Sequence, residues 1–306
     1  MAFRSTMVFT VRSLIRSFSV TPLFQMPALP ILKFPTLVLK NILRSIDIET
    51  VIPFSLCSRK MYHLVKNFRD KTISLELSMD GEDSSVGVVT PDNHYHEVEV
   101  VVERKSRNLE SVNINGHLVA MHRSKWHNGW VTYWDDEVKG IQSVIEYLSD
   151  LFGIKKVASV TVTPYSFKLL DVIKERQGND YELSIDHRLS EKESHFILEN
   201  HPAKVLRISG LPPYFKIGKY LQTVDSLFVD SELSITIDDL LNMNCVELFL
   251  SENCFTGAEI KRLLQHWAIG VFKQLKYLRL DVEDFDLEDV FGELTHTRMT
   301  EKRTYK

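Results

Sequence analysis

The feature that most constrains this chain is a short apolar-x-apolar unit that returns at near-constant spacing through its second half. It stands at Val160/Val162, Leu183/Ile185, Leu206/Ile208, Leu227/Val229, Leu248/Leu250 and Leu278/Leu280, at intervals of 23, 23, 21, 21 and 30 residues. A period of this length accommodates one strand and one helix or loop per repeat, as in a leucine-rich-repeat-like β/α solenoid. An ordinary α/β domain with evenly spaced strands is the competing reading, and the agreement of successive intervals favours the solenoid. Helix starts fall between the strands. Ser190/Glu193 and Thr256/Glu259 match the capping box, in which hydroxyl and carboxylate satisfy the free amides of a first turn. Ile260, Leu263, Leu264, Trp267 and Val271 then form one apolar stripe. Residues 211–220, with Pro212-Pro213, read as irregular.

Upstream the texture changes. Residues 73–139 are mixed and β-like, with predicted strands over 73–79, 86–89, 97–103 and 111–121, separated by turn clusters at 80–85 and 91–93. Residues 26–72 carry dense helix-period sequence. Pro35 suits a helix start, where its missing donor costs nothing. Leu39, Ile42, Leu43 and Ile46 follow at i, i+3, i+4 and i+7. Asp47 can cap a second helix, and Met61, Leu64, Val65 and Phe68 repeat the spacing in a third. So small a unit cannot bury this many apolar groups alone, so the excess covers the next domain or a partner.

Residues 1–25 form a leader. Arg4, Arg12 and Arg16 lie among Ser, Thr and helically spaced Val8, Val11, Ile15 and Phe18, and the first acidic residue of the chain is Asp47. Two readings stand: a mitochondrial presequence, or an extra disordered leader ahead of a start at Met26. Residues 140–293 hold the repeat-like domain and 294–306 a flexible basic tail. The fold class is thus α+β to α/β: a small helical unit, a β-containing segment and a repeat array.

Composition bounds the function. With 44% apolar and 25% charged residues the chain has globular proportions. Its net charge of −4 gives no electrostatic case for nucleic acid. Cys57, Cys245 and Cys254 are too few and too scattered for a disulfide framework, which fits a reducing compartment, cytoplasmic or nuclear. No apolar run is long enough to span a membrane.

The helical segment contains Phe34-Pro35-Thr36-Leu37 and Phe54-Ser55-Leu56-Cys57-Ser58-Arg59. It resembles the F-box, in the form found in the expanded nematode branch of that family. The remainder is similar to the type 2 F-box-associated domain, through Trp130-Val-Thr-Tyr133-Trp134, residues 140–152, Ile237-Asp-Asp-Leu-Leu-Asn-Met-Asn-Cys245 and Leu264-Gln-His-Trp267 ahead of Leu278. The resemblance implies a three-helix motif docking a Skp-type adaptor, and through it a cullin, with a C-terminal domain that binds a protein target for ubiquitin transfer. It implies no catalysis, no cofactor and no metal in this chain. By it, the adaptor contacts are Phe34, Pro35, Leu37, Val38, Ile42, Leu43, Ser55, Leu56 and Cys57. Two departures stand out: Ile48 follows Asp47 where the family often has Pro, and Pro53 interrupts the second helix and removes a donor.

Side chains with chemical potential have plainer readings. His94, His96, His117, His122 and His127 lack ligand spacing and read as loop histidines. Asp238/Asp239 read as a helix start, and the acids of 281–293 as a solvated face. Within the repeats, alternation turns Thr161, Ser184, Arg207, Phe228, Phe249 and Arg279 away from the core, with Asp186, Asp230 and Tyr277 beside them. Arg207, Phe228, Asp230, Phe249, Tyr277 and Arg279 are the target-binding candidates, because neighbouring aromatic and Arg side chains are typical hot-spot residues. The alternative is a register shifted by one residue or a covering segment, either of which would place the phenylalanines inside. A repeat scaffold without ligase function, and an enzyme of the mitochondrial matrix, are the competing functional classes.

Overall fold

A computed structural model describes residues 31–102, 109–125, 129–164, 166–185, 189–231, 233–251 and 255–280. The leader, His127, Asp186, Cys254, the acids of 281–293 and the tail lie outside these residues.

Near the start of the described residues lie three helices: α1 (Thr36–Ser45), α2 (Ile48–Leu56) and α3 (Arg59–Phe68). Pro35 is the N-cap of α1, and the Asp47 carboxylate accepts from the Thr50 amide at 2.9 Å to open α2. Ser58 caps α3 in the same way, accepting from Met61 at 3.1 Å. Pro53 does not interrupt α2, contrary to the sequence expectation. A mid-helix proline costs about 3 kcal/mol, but Val51, Ile52 and Ser55 are buried around it and hold the helix through that position.

Among the described residues the remaining elements build on one twelve-stranded sheet, in the order β12-β11-β10-β9-β8-β7-β1-β2-β3-β6-β5-β4. One half is mixed, from β1 (Glu76–Asp80), β2 (Ser85–Val89), β3 (Tyr95–Val101), β4 (Glu110–Ile114), β5 (His117–Arg123) and β6 (Gly129–Tyr133). The predicted strand over 111–121 is a hairpin. Asn115 and Gly116 take φ of +49° and +87°, the left-handed pair that a two-residue turn needs. The Asn115 amide also donates to the Ser143 carbonyl at 2.9 Å, pinning this turn to the helix beneath.

The other half is parallel and runs in sequence order: β7 (Val157–Val162), β8 (Glu182–Ile185), β9 (Val205–Ile208), β10 (Ser226–Val229), β11 (Glu247–Leu250) and β12 (Tyr277–Leu280). Val160, Leu183, Leu206, Leu227, Leu248 and Leu278 are register partners across it. The intervening helices are α4 (Glu137–Phe152), α5 (Lys168–Gln177), α6 (Glu191–Asn200), α7 (Ile237–Leu241) and α8 (Gly257–Ala268). Both expected capping boxes form, and a third forms at Thr236/Asp239. Helix α8 ends at Ala268, so Val271 falls beyond the stripe expected of it and is exposed. Residues 211–220 are irregular apart from a 3-10 turn at Gly218–Tyr220, yet they bury Phe215 and Ile217.

Helix α4 joins the two parts. It packs on β2, β3 and β4 and against α3. Its Tyr147 hydroxyl meets Ser55 of α2 at 2.7 Å in a buried contact. Tyr62 and Lys66 of α3 both donate to Asp150, and this pairing holds the Asp150 carboxyl below its usual range, Lys66 contributing most. Arg69 donates to the carbonyls of Leu151 and Phe152, capping the end of α4. Arg123 of β5 pairs with Glu49 of α2.

Candidate interaction surfaces

The sheet has two unlike faces. Met79, Val86, Val98 and Val160 are linked through register pairs, and Val100 is the next residue on the same face of β3. Gly140 of α4 lies so close to Val100 and Trp134 that a Cβ there would fall 2.5 and 2.8 Å from their side chains. Helix α4, and the three N-terminal helices on it, therefore occupy the face of the core rows. The opposite face carries the residues between those rows.

On that opposite face Thr161, Ser184, Arg207, Phe228, Phe249 and Arg279 are successive register partners, in the phase read from the sequence. Phe228 and Phe249 stack with ring centroids 4.5 Å apart, and Phe249 stacks on Tyr277 at 4.7 Å. Arg207 lies over Phe228, its guanidinium carbon 4.3 Å from the ring centroid. Its Nε donates to Glu182, a partner that the alternation on β8 could have indicated. The result is a ladder from Glu182 through Arg207, Phe228 and Phe249 to Tyr277, crossing five strands. Each aromatic pair contributes about 0.5–1.5 kcal/mol beyond its buried area. All three rings remain half-buried, and Arg279 is exposed beside Phe249. Asp230 is exposed at the end of β10, and no ladder contact involves it.

The N-terminal helices present a second surface. Leu37 in the first turn of α1 is 69% exposed, and Pro35, Leu32 and Cys57 are exposed as well. Phe34, Val38, Ile42 and Leu56 are half-buried. Leu43 and Ser55, expected at the same surface, instead point inward. Leu43 is 1% exposed in the core, and Ser55 is held between the Ile52 carbonyl and Tyr147. Lys33 in the 3-10 turn before α1, and Lys40 and Arg44 on α1, are the charged residues of 31–46; Arg44 lies near Asp70. Although the residue is exposed, the Cys57 thiol turns back on α2 to donate to the Pro53 carbonyl, and this partial desolvation, with the Glu110 charge, raises its pKa.

The histidines separate. His94 pairs with Asp92 on the surface, His117 meets Trp134 edge-on and His122 stacks on Tyr133. Burial lowers the pKa of His96. Asp239 closes the third capping box and Asp238 pairs with Arg262 at 3.1 Å, the helix-start role expected of them.

Two family models match the chain. The F-box domain covers residues 31–72, which contain α1, α2 and α3. The F-box associated family covers residues 218–280, from the 3-10 turn through β12, including Phe228, Phe249 and Tyr277. No curated protein and no solved structure matches it. With the helical motif ahead of the sheet and the associated region on the sheet's far strands, the chain carries an F-box domain and an F-box associated domain.

Proposed function

We propose that this protein is the substrate-recognition adaptor of a Skp-cullin-F-box ubiquitin ligase. The F-box docks a Skp-type adaptor, and the C-terminal sheet, a leucine-rich-repeat-like β/α solenoid, holds a protein target. The observation that carries the reading is the arrangement of two surfaces on opposite faces of one sheet. An F-box with an exposed Leu37 lies on one face, and an aromatic ladder on strands of the associated domain lies on the other.

The adaptor surface comprises Phe34, Pro35, Leu37, Val38, Ile42, Leu56 and Cys57, with Leu43 and Ser55 supporting it from beneath. The cations flanking Leu37 in sequence, Lys33 and Lys40, suit an acidic partner. The target surface comprises Arg207, Phe228, Phe249, Tyr277 and Arg279, with Asp230 at its margin. Function then needs no catalytic group in this chain. Holding target lysines near a charged ubiquitin-conjugating enzyme raises their effective concentration, which accelerates transfer. No helix among the described residues is long and apolar enough to cross a membrane. Action in the cytoplasm or nucleus is consistent with the proposed role.

Proximity labelling tests the target surface. The full chain and its Phe228→Ala/Phe249→Ala variant, each fused to a promiscuous biotin ligase, are compared with the proteasome inhibited. Proteins labelled by the wild type alone, and accumulating under inhibition, are the expected outcome, with adaptor labelling equal in both. Identical labelled sets would remove the ladder from the account.

A further inference from the structure

The two outer phenylalanines differ from an open aromatic platform in one respect: their ring faces are occupied. Arg207 covers one face of Phe228 at 4.3 Å, and Phe249 covers the other at 4.5 Å. Phe249 is itself covered by Phe228 on one side and Tyr277 at 4.7 Å on the other. Interplanar angles of 23° and 22° keep the rings nearly parallel, at about the spacing of neighbouring strands. The rings therefore stand upright on the sheet and offer their edges to a partner.

Ring faces and ring edges attract opposite chemistry. The face is electron-rich and binds cations; the edge carries the positive end of the quadrupole. The one cation that the Phe228 face could take is already seated there, from the chain itself. An upright edge instead meets the face of another aromatic ring in T-shaped contact, or a carbonyl or carboxylate oxygen. Two acids on this face are engaged, while Asp230 stands exposed at its margin. Glu182 accepts from Arg207, and Glu247 accepts from Ser226 at 3.0 Å. Meanwhile the Arg207 side chain is 45% exposed and, beyond the Nε given to Glu182, carries further donors.

We infer that the ladder selects a protein segment bearing aromatic and acidic side chains, and discriminates against lysine-rich or methyl-lysine segments. The inference rests on the target-binding reading above and names the chemistry of its ligand. Ring faces on the partner meet the edges of Phe228 and Phe249, and its carboxylates meet the guanidinium edge of the ladder.

The test uses the full chain and short fluorescein-labelled peptides: one of Glu, Tyr and Trp, one of Glu and Ser, one of Lys, Tyr and Trp, and one carrying trimethyl-lysine. The comparison variant is Phe228→Leu/Phe249→Leu, which keeps apolar bulk and removes the ring edges. In anisotropy titrations the Glu/Tyr/Trp peptide is expected to bind at least about tenfold more tightly than either lysine peptide, and to lose about tenfold or more in the variant. Preference for a lysine peptide, lost in the variant, would overturn the ligand class while leaving the ladder as the target surface. Binding of the Glu/Tyr/Trp peptide that is unchanged in the variant, or no binding by any peptide, would overturn the inference itself.

Discussion

Replacing Leu37 with Asp is expected to weaken binding of a Skp-type adaptor by roughly a hundredfold while leaving the chain folded. A central apolar anchor contributes about 2 kcal/mol or more to an interface, which is already about thirtyfold in affinity. An acid there adds the cost of burying an unpaired charge. The fold should tolerate the change for two reasons. Leu37 is 69% exposed, so little of the core depends on it. It also lies in the first turn of α1, where negative charge favours the helix. The check is calorimetric titration of adaptor into both chains, alongside their melting curves. Equal affinity in the two would place the adaptor contact elsewhere. Leu43→Ala would be a poor substitute, because that side chain is in the core and its loss would confound binding with stability.

The second large effect concerns α4. Leu148→Ala is expected to cost about 2–5 kcal/mol of stability, the range for truncating a buried leucine where the site cannot collapse. Leu148 is fully buried, and α4 touches both α3 and strands β2, β3 and β4. The loss should therefore appear in the F-box and the sheet together. In guanidinium denaturation, fluorescence of a probe on Cys57 and far-UV ellipticity should shift by the same amount in one transition. A probe signal that keeps its wild-type midpoint while the sheet melts earlier would show the F-box to be independent, contrary to the contacts of Tyr147, Asp150 and Arg69.

How much of this was legible in the sequence varied with the range of the interaction. The parallel strands were, because apolar-x-apolar units fix both strand position and the face each side chain takes. That is why Arg207, Phe228 and Phe249 emerge on one row in register. Helix caps are legible where the pattern is strict; at Asp238/Asp239 the sequence shows a helix start but not the Thr236/Asp239 capping box, because Asp replaces the usual Glu. The strand over 111–121 was read through a turn whose Asn-Gly pair is the strongest short hairpin signal. What the sequence could not show was pairing at long range. Ser55 and Tyr147 are 92 positions apart, and nothing local to either marks the contact. The inward placement of Ser55 and Leu43 follows from it: apolar period identifies a helix's buried side but not whether the cover is the chain itself or a partner. Pro53 belongs with these, since tertiary burial outweighs a local breaker that sequence rules count against the helix.

Engagement of a ligase adaptor by the F-box is tested directly by titration of purified Skp-type adaptor into the intact protein. A one-to-one complex with micromolar or tighter affinity, about −8 kcal/mol or better, is the result expected. Absence of binding by the folded, intact chain would contradict the account and leave a repeat-type interaction scaffold in its place.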